Sequence, residues 1–260
     1  MPRLEVREMT ADDEYFVGTC SHVNESPEAD AASRLRLACL ARSRAAGGAT
    51  LVALLDGRHA GFLHATPIEL SSWGPVGRDL MVVPCLFVPQ WAGKRGAGRA
   101  LVAEAEALAR ASGRRGVVTL AYHHDFWFMP AAFFERLGYV EADRQGEWSA
   151  LWKPFSADAQ APRLPRRRYE FRPVAGKVVV DLFWNGYCQT SAIEAARVRE
   201  VAAEFGDAVL LVEHCADDPD VLAEFGTARG IFVNGREIGW GYEAPKEGVR
   251  AALSEALAAR

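Results

Sequence analysis

The sequence predicts an α/β protein in two parts, a mixed sheet flanked by helices followed by a smaller α/β domain. Three observations lead to that class. Segments of strand period and helix period alternate along the whole chain. The alternation stops in a stretch rich in proline and arginine, residues 155–173, and then starts afresh. The length of 260 residues exceeds the roughly 100–200 typical of one domain.

Taken in order, residues 4–9 alternate as a strand, and Thr10 with Asp13 three places on signals the start of a helix. Residues 28–46 carry Ala, Leu and Arg at helical spacing and stop at Gly47-Gly48. Two apolar runs around Asp56-Gly57 form a hairpin, because a type I′ turn needs positive φ at both central positions. Leu80 to Val88 reads as a buried strand, and Pro84 within it should force a bulge or an unpaired edge. A glycine-rich turn leads into a long helix with Leu101, Val102, Ala105, Leu108 and Ala109 on one face, ending at Gly113. Residues 116–122 form a strand, 130–137 a short helix, and 139–143 with 147–153 a closing pair of strands.

Beyond the break, 177–184 is a strand, 189–205 a helix, 208–214 a strand and 218–226 a helix. A hairpin turns at Asn234-Gly235, and 245–259 is a last helix. The expected organisation is therefore a domain over 1–154, a linker over 155–173 and a second domain over 174–260.

Composition narrows the function classes. Net charge is −4, so no whole-chain basic field draws the protein to nucleic acid. No apolar run nears the roughly 20 residues of a membrane span, and the first ten residues lack the apolar core of a signal peptide. Cys20, Cys39, Cys85, Cys188 and Cys215 are scattered, with no CxxC pair. That pattern argues against a disulfide framework or a metal site and for the cytoplasm.

The most informative segment is residues 88–109, VPQWAGKRGAGRALVAEAEALA. A buried strand runs into Gly93, Gly96 and Gly98 and then directly into a helix. Glycines there let backbone N–H groups converge on a ligand, and a helix start adds unpaired donors and partial positive charge. Lys94, Arg95 and Arg99 add full charges, so a pyrophosphate suits the turn. The Walker pattern is excluded because no Gly-Lys-Ser/Thr follows, and the dinucleotide fingerprint fails because residue 101 is Leu.

This stretch, with the preceding LFVP and the downstream AAFFERLGYVEA, resembles the GNAT acetyltransferase superfamily over roughly residues 3–153. The resemblance implies an acyl-CoA donor, with acetyl-CoA the expected form. It implies that the backbone of Leu86, Phe87 and Val88 pairs with the pantetheine arm. The amides of Gly93, Lys94, Arg95, Gly96, Ala97, Gly98 and Arg99 would hold the pyrophosphate. Three positions depart from the family pattern: the loop's usual first Arg or Gln is Gly93, with Lys94 and Gln90 close, the late-helix tyrosine that protonates the leaving thiolate aligns with Phe134, and the upstream asparagine with Trp127. Direct transfer also needs a base near working pH, which favours histidine. His123 and His124 follow strand 116–122 and are the candidates, with Tyr122 as substitute acid. Cys85 and His64 could face the same groove, though a small core cysteine and a satisfied strand histidine are the plainer readings. Phe126, Trp127, Phe128, Phe133 and Phe134 could wall an apolar acceptor pocket or simply be core.

In the second part, WNGYCQTS follows an apolar strand and opens a helix. It resembles the active-site turn of thioredoxin-like proteins, with Ser191 in place of a second cysteine and Gly230-Ile231 where a cis-proline would stand. Cys188 at the helix start is a candidate reactive thiol, since free N–H groups and the helix dipole favour its thiolate. The whole resembles acetyltransferases carrying a C-terminal YoaP-type domain. The expected function is acyl-CoA-dependent N-acyl transfer to a small-molecule amine, with the second domain helping to form the acceptor site. The alternatives are a non-catalytic CoA-binding thiol or redox sensor and a monothiol oxidoreductase using Cys188. A homodimer is open to the chain, and neither a metal, a nucleic acid nor a membrane is expected.

Overall fold

A computed structural model of the protein describes residues 3–22, 26–124 and 128–259. The chain divides into two compact units, one of residues 1–24 with 40–165 and one of residues 25–39 with 166–260.

The first unit opens with β1 (Leu4–Glu8), a 3-10 turn and the short helix α1 (Glu14–Thr19). The Thr10 signal is realised at this entry: Thr10 N–H donates to Asp13 Oδ2 at 2.7 Å. Helix α2 (Pro27–Ala45) follows, its residues up to Cys39 belonging to the second unit and those from Leu40 to the first. Then come β2 (Ala49–Leu55), β3 (Arg58–Pro67), β4 (Met81–Phe87), α3 (Ala97–Ala111), β5 (Gly116–Tyr122), α4 (Ala131–Glu135), β6 (Val140–Gln145) and β7 (Trp148–Pro154). The β2–β3 hairpin turns at Asp56 and Gly57 with φ of 50° and 80°, the positive pair that a type I′ turn requires.

The sheet has seven strands in the order β1-β2-β3-β4-β5-β7-β6. Only β4 and β5 run parallel, and α3 makes the crossover between them. The apolar face of α3, Leu101, Val102, Ala105 and Ala109, is buried against Leu51, Ala53, Leu63, Met81, Val83 and Val117 of the sheet. On the opposite face Val82, Val118, Leu120 and Ala150 pack with Ile68, Leu80 and Leu164. Leu164 lies in the stretch expected as linker. That stretch is ordered within each unit: Val76 and Arg163 form an antiparallel bridge in the first, and Arg168 N–H donates to Phe225 O at 2.9 Å in the second.

The second unit comprises β8 (Val178–Trp184), α5 (Gln189–Glu204), β9 (Val209–Cys215), α6 (Pro219–Phe225), β10 (Gly230–Val233), β11 (Arg236–Ile238) and α7 (Lys246–Ala258). Its four strands stand in the order β11-β10-β8-β9, with β9 parallel and β10 antiparallel to the central β8. Successive side chains of a strand point to opposite faces. Accordingly Val178, Val180 and Leu182 pack against Ala195, Val198 and Val201 of α5 and Val249 and Leu253 of α7. On the other face Phe183 stacks on His214 and meets Phe225 and Phe232 edge-on. The segment 25–39 is tied into this unit by Arg197, which pairs with Glu28 at 2.6 Å, and by Gln189 Nε2, which donates to Ala29 O at 3.1 Å.

Candidate active site

The feature that sets the site is a fork in the sheet. Strands β4 and β5 pair only at Met81 with Val117, Val82 with Val118 and Val83 with Thr119. Past that point β4 continues to Phe87 and β5 to Tyr122 without partnering each other. The residues at the fork make the separation tolerable. Pro84 has no N–H to leave unpaired, and the hydroxyl of buried Thr119 donates to the carbonyl of Val83 at 2.8 Å. Pro84 also sits in a bulge, because the step from Val82 to Cys85 on β4 faces the shorter step from Thr66 to His64 on β3. Both the bulge and the unpaired edge read from Pro84 are therefore present.

Beyond the fork, Cys85, Leu86 and Phe87 pair with His64, Leu63 and Phe62 of β3 on one side. On their other side β5 no longer pairs with them, and an extended ligand could lie along the strand there. On the far side of the gap Tyr122 N–H donates to Met129 O, which anchors the approach to α4 beside the end of β5.

After Phe87 the chain passes through Val88 and a 3-10 turn (Gln90–Ala92) into residues 93–96 and then α3. Gly93 to Gly96 are exposed, and Gly96, the N-cap, has φ of 91°, a conformation that strains any residue with a side chain. The N-cap glycine has no side chain with which to cap the helix, and the first amides of α3 at Ala97, Gly98 and Arg99 have no intrahelical acceptor. The first turn carries no acidic residue, while Lys94, Arg95 and Arg99 are exposed around it. The three glycines have different reasons. Gly96 is needed for its φ, whereas at Gly98 the matter is space, since a Cβ there would stand 3.2 Å from Phe133 Cζ of α4 and crowd that ring. Gly93 has an ordinary φ of −57°, and the left-handed residue in the loop is Lys94, with φ of 59°.

The candidate acid–base groups lie at the end of β5. Tyr122 is half-buried between the two core clusters, its ring 6.0 Å from Trp148 and 5.3 Å from the exposed His124. His123 is held firmly. Its N–H donates to Glu147 O, and its Nε2 lies 2.9 Å from Ser149 Oγ, which in turn donates to Glu141 Oε2 at 2.6 Å. These bonds draw the ring toward β7, the neighbour of β5 on the side away from β4. Ser149 and Glu141 stand on β7 and β6, and no local motif marked them.

Phe134 is fully buried, edge-on to Phe133 and Tyr139, so the late helix offers no hydroxyl at that position. Tyr139, five residues on, is buried in the core, and burial, with Glu106 nearby, raises its pKa well above the ordinary phenol value. His64 is buried, with Ser43 Oγ 3.2 Å from one ring nitrogen and Thr50 Oγ1 3.2 Å from the other, a satisfied strand histidine. Cys85 is buried beside it as its cross-strand partner. Asp125, Phe126 and Trp127 lie outside the described residues. Phe133 and Phe134 are core, packed with α3 and the sheet.

In the second unit Cys188 is the N-cap of α5 and partly exposed. Asn185 shapes the turn: its Oδ1 accepts from Cys188 N–H at 2.7 Å, its Nδ2 donates to Ala228 O at 3.1 Å, and its own N–H donates to Ser191 Oγ. Ser191, at the position of a second thiol, is thus a buried structural hydroxyl. Buried Arg36 donates to Tyr187 O at 2.6 Å, and Gly186 N–H to Asp217 Oδ1 at 3.0 Å. All five cysteines are unbridged. Among the described residues no cluster of His, Cys, Asp or Glu could hold a metal ion, and no helix is long and apolar enough to cross a membrane.

No protein-family model and no curated protein sequence matches the chain. Solved structures similar to it include a protein from Desulfovibrio desulfuricans described as an acetyltransferase of the GNAT family. The two are 21% identical over 59% of this chain and 100% of that one, with a TM-score of 0.47. A GNAT-family acetyltransferase from Brucella melitensis, in complex with acetyl-CoA, is 18% identical over 61% of this chain and 92% of its own, with a TM-score of 0.41. A ribosomal-protein-alanine N-acetyltransferase, also from Brucella melitensis, is 18% identical over 58% and 99% respectively, with a TM-score of 0.44.

Proposed function

We propose that the protein is an acyl-CoA-dependent N-acyltransferase of GNAT type, using acetyl-CoA and acting on a small-molecule amine in the cytoplasm. The observation that carries the reading is the continuity of fork and turn. A strand stretch that β5 leaves unaccompanied, Cys85–Phe87, leads within a few residues to a helix start with a glycine N-cap, surrounded by Lys94, Arg95 and Arg99. A CoA thioester has the matching form: an amide-bearing pantetheine arm able to extend a sheet edge, and a pyrophosphate suited to helix N–H groups. In direct transfer the amine nitrogen attacks the thioester carbon, the C–S bond breaks, a base takes the amine proton and the thiolate is protonated. His123 and His124 stand nearest in sequence to the fork as bases, and Tyr122 as acid.

The second unit reads as a thioredoxin-like domain of the YoaP type. Its order of elements, strand-helix-strand-helix-hairpin-helix with the first strand central beside an antiparallel third, supports that reading. So does the cysteine at the start of its first helix.

Calorimetric titration of acetyl-CoA into the wild type and a Gly96→Glu variant tests the proposal. The expected result is micromolar binding that the variant loses, because a carboxylate at residue 96 would confront the phosphates and its side chain would strain a φ of 91°. No heat with either protein would refute the acyl-CoA site. One observation favours a second reading, a CoA-binding thiol sensor: Phe134 leaves the late helix without an acid. An enzyme releases free CoA from acetyl-CoA when an amine is added, whereas a sensor binds without turnover.

A further inference from the structure

The hydrogen-bond chain behind His123 determines which of its nitrogens can act. A carboxylate only accepts, so the hydrogen between Ser149 Oγ and Glu141 Oε2, 2.6 Å apart, is the serine's own. With its single hydrogen spent, Ser149 Oγ can only accept from His123 Nε2 at 2.9 Å. Nε2 therefore carries hydrogen, and in the neutral ring Nδ1 carries the lone pair. We infer that Ser149 and Glu141 are positioning residues for His123, fixing it as the Nε2–H tautomer so that Nδ1 is the proton acceptor of the transfer reaction. This rests on the acyltransferase reading of the fork.

Several features fit that role. Ser149 is completely buried, which keeps its hydroxyl from reaching a substrate as a nucleophile, and the serine-in-the-middle order differs from a hydrolase triad with histidine central. Its place on β7, paired with Ala121 and Arg144, fixes it on both sides in the sheet. His123 keeps one fifth of its side-chain surface open; because its bonds draw the ring toward β7, the role asks that the amine meet Nδ1 from the solvent side, directly or through a bridging water. When Nδ1 takes the amine proton the ring becomes a cation, and Glu141 Oε2 already lies 3.6 Å from Nε2 to balance it. Arg144 Nη1 lies 3.7 Å from the same oxygen. The proton leaves the attacking amine for Nδ1, the electron pair of the C–S bond leaves with sulfur, and the imidazolium later releases its proton to solvent.

Two-bond ¹H–¹⁵N spectra of histidine-labelled full-length protein distinguish the tautomers, with His123→Gln identifying the resonance. The wild type is expected to show the Nε2–H form, and Ser149→Ala and Glu141→Gln a mixture of forms. With acetyl-CoA and an accepted amine, His123→Gln should lower kcat by about 100-fold and Ser149→Ala by about tenfold, with KM for acetyl-CoA unchanged. An Nδ1–H form in the wild type would overturn the assignment. So would full kcat in a Ser149→Ala protein whose tautomer has become mixed. Failure of the wild type to bind acetyl-CoA would defeat the underlying reading as well, and is distinguishable because the tautomer spectrum is taken without ligand.

Discussion

Asp13 offers the sharpest test of how the first unit is held together. Its carboxylate is fully buried and accepts five bonds. Arg7 grips it with both terminal nitrogens, the longer bond at 3.0 Å; Thr10 donates its N–H at 2.7 Å and its hydroxyl at 2.9 Å; His59 Nε2 lies 2.8 Å away. Burial alone would push the carboxyl pKa up, but the bonds from Arg7, Thr10 and His59 outweigh it and hold the value far below the ordinary range. Replacing it with asparagine keeps the shape, removes the charge and turns an NH₂ group toward donors. Removing one partner of a buried ion pair costs about 3–5 kcal/mol. Because Arg7 and His59 remain about a third exposed and can turn to water, the expected cost of Asp13→Asn is nearer 2–3 kcal/mol. For a unit of this size that lowers its midpoint by about 5–10 °C. Differential scanning calorimetry of wild type and variant at pH 7 measures the shift. The sign with pH follows from the depressed value: the stabilisation is whole above the unfolded pKa of about 4 and fades as pH falls below it toward the folded one. The gap between the two proteins should therefore narrow below about pH 4. A loss under about 0.5 kcal/mol at pH 7, or a gap that stays constant into acid, would refute this account.

Three further outcomes are expected. Replacing Lys94, Arg95 and Arg99 together by alanine should weaken acetyl-CoA binding by about 10–100-fold, with the loss shrinking as salt is raised, by titration calorimetry at two ionic strengths. Gly98→Ala should leave stability within about 1 kcal/mol, since the helix gain from alanine is offset by crowding of Phe133. Adding Phe133→Leu should make the alanine at 98 a net stabiliser, measured by thermal unfolding. Tyr169→Phe removes the 2.7 Å bond to buried Asp181, which keeps only His214 at 3.2 Å, and should cost about 1–2 kcal/mol in the unfolding of the second unit.

What could be read from the sequence was local. Asp56-Gly57 and Asn234-Gly235 each take positive φ at both positions, and the strand read over 116–122 is observed at Gly116–Tyr122, built on the β-branched run Val117-Val118-Thr119. Pro84 announced its bulge because a missing N–H is a property of the residue itself. Long-range pairing was silent. Nothing near His123 points to Ser149 or Glu141, which reach it only because β7 folds back beside β5 and β6 beside β7. Residues 28–46 read correctly as a helix, yet nothing in their spacing tells that Glu28 and Arg36 serve partners at Arg197 and Tyr187. The stretch 155–173 has a linker's composition, but Leu164 and Tyr169 are each packed into a unit.

The split membership of α2 has a consequence for how the chain is made. Residues 25–39 leave the ribosome early, but the strands and helices they belong with, from residue 166 onward, are synthesised only after the whole first unit has been made. The first unit can therefore fold as it appears, while this early segment waits for its partners across an interval of more than a hundred residues. The extra entropy of closing so long a gap grows only logarithmically, so the delay is a matter of timing more than of stability. A fragment begun at Arg166 would lack Glu28 for Arg197 and Ala32 for the buried Ala192 and Ile193, so a cut at the visible boundary would not release a complete domain.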